Sequence, residues 1–298
     1  GNGNPDVEPR HSQFDTKNVG TGKTVVAVNY SLADGANGGL ASNYDLTSTS
    51  ATTTADITKK ALAVTGLAAD NKTYDGTTDV TIGNWGSVTT GVGTETLTLN
   101  HDTASFDTKN VGTGKTVTAV NYSLANGENG GLASNYDLTS TSASTTANIT
   151  AKPITTTGVT ASNKVYDGSL TASLNKDAAV ITGGAAAADD NKYYTGDDVS
   201  LNKDAAAGAF SDKNVGTNKT VTLSSTYSGA DKGNYTITDQ AAATADITPK
   251  AITISGITAS NKVYDANTNA AVDTTSATGW IAGDAVSVSA TGTFDTKK

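Results

Sequence analysis

Apolar and polar side chains alternate in short runs along this chain, and pairs rich in Gly, Asn and Asp separate the runs. Ala251-Ile252-Thr253-Ile254-Ser255-Gly256-Ile257 puts every second side chain on one face, the pattern of a half-buried strand. Lys115-Thr116-Val117-Thr118-Ala119-Val120-Asn121-Tyr122 is another β-rich run, Tyr136-Asp137-Leu138 and Tyr235-Thr236-Ile237 continue the alternation, and 146–150 closes the pattern. The Asn-Gly, Asp-Gly and Gly-Gly pairs fall where a turn needs positive φ. Long apolar stripes at helical spacing are missing, so the elements predicted are short strands joined by tight turns.

The strands recur as a set. FDTKNVGTGKTVVAVNYSLADGANGGLASNYDLTSTSATTTADIT at 14–58 returns at 106–150 with five differences, and a diverged copy runs from Phe210 to Thr248. The other half of the unit is equally repetitive, with KALAVTGLAADNKTYDG at Lys60, KPITTTGVTASNKVYDG at Lys152 and KAITISGITASNKVYDA at Lys250. The closing Thr58, Thr150 and Thr248 set a unit of 92 to 98 residues, the size of a domain and far longer than a solenoid repeat. The chain therefore divides into 1–58 (a non-repeat start plus the second half of a module), complete modules at 59–150 and 151–248, and the first half of a module at 249–298. About seven strands per module favour an all-β fold of tandem immunoglobulin-like sandwiches, with a small β-grasp-like α+β module as the alternative. Connections such as Ile149-Thr150-Ala151-Lys152-Pro153 are very short, and Pro153 and Pro249 restrict φ there, which predicts a stiff or semi-stiff rod. Module 151–248 carries an expansion at 173–208, with SLNKDAA twice and an Ala run at 185–188; a short helix or an elaborated hairpin is expected there.

Composition narrows the function classes. The net charge of −9 is spread out, with no basic groove or patch of the kind nucleic acid requires. No apolar run is long enough to span a bilayer, and Lys/Arg-rich amphipathic segments are absent. With no Cys, disulfide scaffolds, zinc knuckles and thiol chemistry are excluded. There is no Met and no leading signal peptide, so the chain is expected to begin after processing or to come from a larger gene product.

Catalysis finds little support. His11 and His101 do not recur, so a His-based triad or metal site in every module is not expected. Gly-Thr-Gly-Lys-Thr at 20–24 and 112–116 lacks the full phosphate-loop spacing and precedes a β-run, so it reads as a hairpin turn. Carboxylates at or near the junctions, Asp56, Asp75, Asp167, Asp246 and Asp265, are candidate calcium ligands, although no local run supplies the six to eight oxygens that calcium takes. Lys72, Lys164 and Lys262 sit beside Asp in all three motifs and could be solvated or crosslinked. Trp85 and Trp280, taken to occupy similar places in their modules, are the candidate platforms for a glycan. Tyr74, Tyr166 and Tyr264 are expected to bury a ring in each core with the hydroxyl on a backbone partner. Tyr44, Tyr136 and Tyr235 are likewise expected in the core, and Asp231-Lys232-Gly233-Asn234-Tyr235 looks like the tyrosine corner of immunoglobulin-like sandwiches.

The motif NK(T/V)YDG at 71–76 and 163–168, with NKVYDA at 261–266, resembles the YDG-type repeat of bacterial adhesins, which is related to MBG-type modules. The K-x-I-T strand before it and the F-x-(D)-K-N-V-G-T-x-K-T-V segment after it match the same pattern from Phe14 onward, while Ala266 departs from the glycine. The resemblance implies a piece of a large filamentous-haemagglutinin-like exoprotein at the bacterial surface or in a biofilm matrix. There it would act as a non-catalytic stalk whose partners are the neighbouring modules, with no cofactor unless calcium. Two other readings remain open: a glycan-binding repeat that gains avidity from its copies, and a subunit that assembles head to tail when the half-modules of separate molecules complete each other.

Overall fold

A computed structural model describes residues 12–14 and 16–296, and they are all-β. Among them the helical elements are three single 3-10 turns, Ala41–Asn43, Ala133–Asn135 and Lys232–Asn234, so the helix that a β-grasp module would need is not formed. Among the described residues no helix is long and apolar enough to cross a membrane. The chain separates into two compact units: residues 1–72 with 77–149, and residues 73–76 with 150–298.

In the first unit, residues 12–57 form an antiparallel sheet in which Gly20–Val28 lies between Ser12–Phe14 and Ser50–Ile57. The module that follows has a four-stranded sheet ordered Lys72–Thr73, Ala143–Thr150, Gly112–Ala119 and Ala104–Phe106. Three further pairs complete it: Thr65–Ala69 with Ile82–Ser87, Leu97–Asn100 with Ser123–Asn126, and a parallel pair of Lys60–Leu62 with Tyr136–Leu138. Alternation along the strands sends Val117 and Ala119, and on the neighbouring strand Ala147 and Ile149, into a core with Leu62, Phe106, Tyr122 and Tyr136. Full burial of a Val or Ile is worth roughly 1.5–3 kcal/mol each, and this supports strands that carry mostly Thr on the opposite face.

The second unit repeats this plan with a wider sheet, ordered Lys164–Val165, Ala243–Thr248, Gly216–Ser228, Ser200–Phe210 and Thr171–Ala172. Its core gathers Val159, Ala179, Phe210, Val221, Leu223 and Ile247. Lys152–Thr155 pairs in parallel with Tyr235–Thr238, the counterpart of the parallel pair in the first unit. Only the last part of the expansion at 173–208 joins a hairpin, lengthening one strand to 11 residues that pairs with a 13-residue neighbour, while Thr182–Gly183 and Lys192–Tyr193 within it form a parallel pair. Ala185–Ala188 forms no helix but lies in a turn capped by Asp190, whose carboxylate accepts the N–H groups of Ala186, Ala187 and Lys192. That turn also meets Lys152, a fully buried lysine whose Nζ donates to the Ala187 carbonyl at 2.7 Å and to Asp190 Oδ1 at 2.8 Å. A buried ammonium is tolerated only when paired, so the insertion is tied to the module by charge. Residues 249–296 form only short pairs, Thr258–Ala259 with Val272–Asp273 and Asn269–Ala270 with Gly292–Thr293.

Candidate functional site

The recurring motif builds a turn around its lysine. Lys164 Nζ donates to Asp167 Oδ1 at 2.7 Å and to the carbonyls of Ser169 and Thr171 at 2.8 and 3.1 Å, and it stands 5.3 Å above the Phe210 ring. Lys262 repeats the arrangement with Asp265, Asn267 and Phe294, and Lys72 does so with the Thr77 and Asp79 carbonyls and Phe106. Each lysine thus joins the two halves of its repeat through a cation–π contact with the phenylalanine that opens the second half. The Lys164 ammonium, followed by the Ser169 amide, lowers the Asp167 carboxyl to about 2. The Asp167 carboxylate is thereby held charged.

The Gly-Thr-Gly-Lys-Thr segments form β-bulges with the second Gly at positive φ, +60° at both Gly22 and Gly114. Their amides do not face a free anion site. Gly22 N–H donates to Asp56 Oδ1, Gly114 N–H to Asn148 Oδ1 and Asn218 N–H to Asp246 Oδ1, all at 2.8 Å. A neutral Asn148 serves as well as an Asp here, so an acceptor oxygen and not a charge is what the position requires. Asp56 and Asp246 cap bulges, Asp167 and Asp265 hold lysines, and Asp75 is half-buried in its turn. These five candidate calcium ligands are not brought together, and no group of three or more metal-binding side chains gathers among the described residues.

The two tryptophans are not equivalent. Ser87 pairs with Thr65, and Thr278 bridges Ser255, the residue that corresponds to Thr65, so Trp85 precedes the matching position by two residues and Trp280 follows it by two. Trp85 is stacked on His101 at 3.8 Å with the planes 5° apart, which covers one ring face, and Trp280 lies in a turn. His11 lies outside the described residues.

The tyrosines depart most from expectation. Tyr74 is fully buried, and its hydroxyl donates to a side-chain carboxylate, Asp197 Oδ2, at 2.7 Å. Its ring meets Tyr194 and Tyr235 edge-on, at 5.9 and 5.4 Å. The half-buried Tyr166 donates in the same way to Asp284 Oδ2 at 2.7 Å, and Lys213 reaches Asp284 Oδ1 at 3.0 Å. The motif tyrosine therefore reaches past its own module to a carboxylate of the following one. The motif glycine seats the same contact: a Cβ on Gly76 would stand 3.5 Å from the Tyr194 ring, and one on Gly168 3.3 Å from Ile281. Tyr264 has no such partner and is 78% exposed.

The second tyrosine of the repeat reaches the carboxylate from the other side. Tyr235 donates to Asp197 Oδ2 at 2.6 Å and Tyr136 to Glu95 Oε2 at 2.7 Å, while Lys17 pairs with Glu95 Oε1 at 2.7 Å. Tyr136 and Tyr235 are buried as expected, but Tyr44 is 63% exposed. Burial, then the Asp197 carboxylate, raises the Tyr235 phenol. Lys17, then Tyr136, lowers Glu95, and Tyr166, then Lys213, lowers Asp284. The Tyr235 hydroxyl accepts a hydrogen bond from the Tyr194 N–H and donates one to Asp197 Oδ2, which is not the local backbone bond of a tyrosine corner.

Glu95, Asp197 and Asp284 were missed in the sequence because they stand 21, 31 and 20 residues after the motif tyrosine and differ in identity. Anchoring each segment on its cross-strand partner would have aligned them. A family model described as YDG domain matches residues 4–53, 58–145, 150–244 and 248–298. No curated protein and no solved structure matches the chain.

Proposed function

Because the chain belongs to the YDG domain family, we propose that it is a non-catalytic spacer in the stalk of a bacterial surface adhesin, outside the cell or in a biofilm matrix, with immunoglobulin-like sandwich modules. The observation that carries the proposal is the repeated junction contact: Tyr74 on Asp197 and Tyr166 on Asp284, each a motif hydroxyl held by the next module's carboxylate. The motif lysines, with Tyr74 and Tyr166, are committed to turns, cation–π contacts and junctions, a use that suits holding tension and not turnover. The pairing of a broad sheet with several two-stranded pairs around one core in module 59–150 supports the two-layer sandwich. The filamentous-haemagglutinin-like context rests on the motif resemblance, and neighbouring modules are the partners it implies.

Single-molecule pulling tests the mechanical role. Each complete module should open in one step of about 30 nm, from ~3.3–3.6 Å per extended residue, and Tyr166→Phe should lower the force of the step that includes the second unit. Saturable glycan-array binding abolished by Trp85→Ala would instead make the chain a glycan-binding repeat.

A further inference from the structure

At Asp197 the two recurring tyrosines of the repeat meet on one atom. Tyr74, from the motif of module 59–150, and Tyr235, from the second half of module 151–248, both donate to Asp197 Oδ2, at 2.7 and 2.6 Å. Their phenol oxygens therefore stand no further apart than those two lengths laid end to end. The ring centroids are 5.4 Å apart with the planes at 77°, an edge-on contact. Both residues are held in place: Tyr74 N–H donates to the Thr150 carbonyl at 2.8 Å, and the Tyr235 hydroxyl also accepts the Tyr194 N–H at 2.9 Å. Tyr74 has no exposed surface and Tyr235 is 6% exposed. Burial, then the Asp197 carboxylate, opposes ionisation of the Tyr235 phenol. It gives up its proton only together with an electron, and the proton acceptor is already in contact.

We propose that Tyr74 and Tyr235 form a site of oxidative crosslinking, with Asp197 as proton acceptor and a one-electron oxidant as co-reactant, giving a dityrosine that ties one module covalently to the next. Each phenol loses one electron to the oxidant and its hydroxyl proton to Asp197, which is half-buried and passes the proton to water. The two phenoxyl radicals join through one carbon ortho to each oxygen. The hydrogens on those two carbons move to the oxygens, which restores both phenols. Overall two electrons and two protons leave the protein, and the oxidant takes up the electrons, as peroxide does on its way to water. A single bond between two rings tolerates a large twist, so the edge-on geometry suits the product. Tyr194, the third ring of the cluster at 5.9 Å from Tyr74, is disfavoured, because Lys152 Nζ stands 5.5 Å from its centroid and opposes the loss of an electron. Once formed, the bond carries load past everything between residues 74 and 235. The crosslink itself is read chemically and stands or falls apart from the stalk reading.

Photo-oxidation of the dilute chain by a ruthenium tris-bipyridyl complex with persulfate, followed by tryptic digestion of the isolated monomer, tests the proposal. Trypsin places Tyr74 in peptide 73–109 and Tyr235 in peptide 233–250, each the single tyrosine of its peptide, and Tyr194 in 193–203. The expected product joins 73–109 to 233–250, lighter than their sum by two hydrogens, and shows the blue emission of dityrosine. Tyr74→Phe and Tyr235→Phe should each abolish it. Asp197→Asn should slow its formation about a hundredfold, the lower end for a positioned base, with circular dichroism checking that the fold persists. The unmodified chain decides the pairing without any variant. A monomer whose dityrosine joins other peptides would overturn the proposal. So would coupling between molecules only, through the exposed Tyr44 and Tyr264, or a folded Asp197→Asn protein that crosslinks at the parental rate.

Discussion

Replacing Tyr74 by Phe deletes one oxygen and leaves the ring, so it isolates the junction hydrogen bond from the packing. The lost bond is a 2.7 Å donation to the Asp197 carboxylate, at a residue with no exposed surface. Hydrogen bonds to charged groups are worth about 1.5–3 kcal/mol. Tyr74→Phe should therefore destabilise the second unit by about 2 kcal/mol, a 30-fold shift in its folding equilibrium. Tyr74→Ala, which also abandons the edge-on contacts with Tyr194 and Tyr235, should cost about 3–5 kcal/mol. Urea denaturation followed by Trp280 fluorescence in a Trp85→Phe background reports on the second unit alone, since Trp280 belongs to it. A double-mutant cycle with Asp197→Asn should return a coupling of about 1–2 kcal/mol, because the two residues share one contact. A Tyr74→Phe protein within about 0.3 kcal/mol of the parent, with Tyr74→Ala still costly, would refute the reasoning: the hydroxyl would be idle and the tyrosine a core filler only.

Acid should loosen the motif turns. Asp167 falls from 3.8 to about 2 in the folded chain, mainly through Lys164, and a depressed carboxyl contributes stability that is present above the unfolded value and lost as pH falls through the folded one. Carboxyl NMR titration should show Asp167 protonating near pH 2, and Lys164→Met should return it towards 3.8; an unshifted Asp167 in the parent would contradict the lysine cage. Gly158 and Gly66 occupy the same place in their repeats at φ of +84° and +80°, but a Cβ on Gly158 would lie 2.0 Å from the Ala178 carbonyl oxygen while one on Gly66 meets nothing within 4 Å. Gly66→Ala should cost only the left-handed backbone term of about 1–2 kcal/mol, and Gly158→Ala clearly more, as thermal denaturation of each variant would show.

The repeated carboxylates show why recurrence in sequence and recurrence in space are read differently. The lysine cage lies within about ten residues of the motif, apart from its phenylalanine, so a fixed string encodes it. The junction joins residues more than a hundred positions apart: Tyr74 with Asp197 and Tyr166 with Asp284. Such a contact constrains only where the chain returns. An insertion like the one at 173–208 can then change the spacing while the contact persists.

Period-two alternation and turn residues are local properties of the backbone, so the β-structure and the tandem repeat could be read from the chain directly, whereas the bulge at Gly-Thr-Gly-Lys-Thr, read there as a hairpin turn, shows only in the strand register. The burial of Tyr136 and Tyr235 followed from the same patterning. Partner choice did not. The hydroxyl acceptors of Tyr74 and Tyr166, the register that separates Trp85 from Trp280, and the ion pair of buried Lys152 with Asp190 all depend on segments brought together by folding. Side-chain chemistry limits what each residue can donate or accept, but only the tertiary structure decides which acceptor stands within about 3 Å, because a hydrogen bond is lost over distances shorter than one strand spacing.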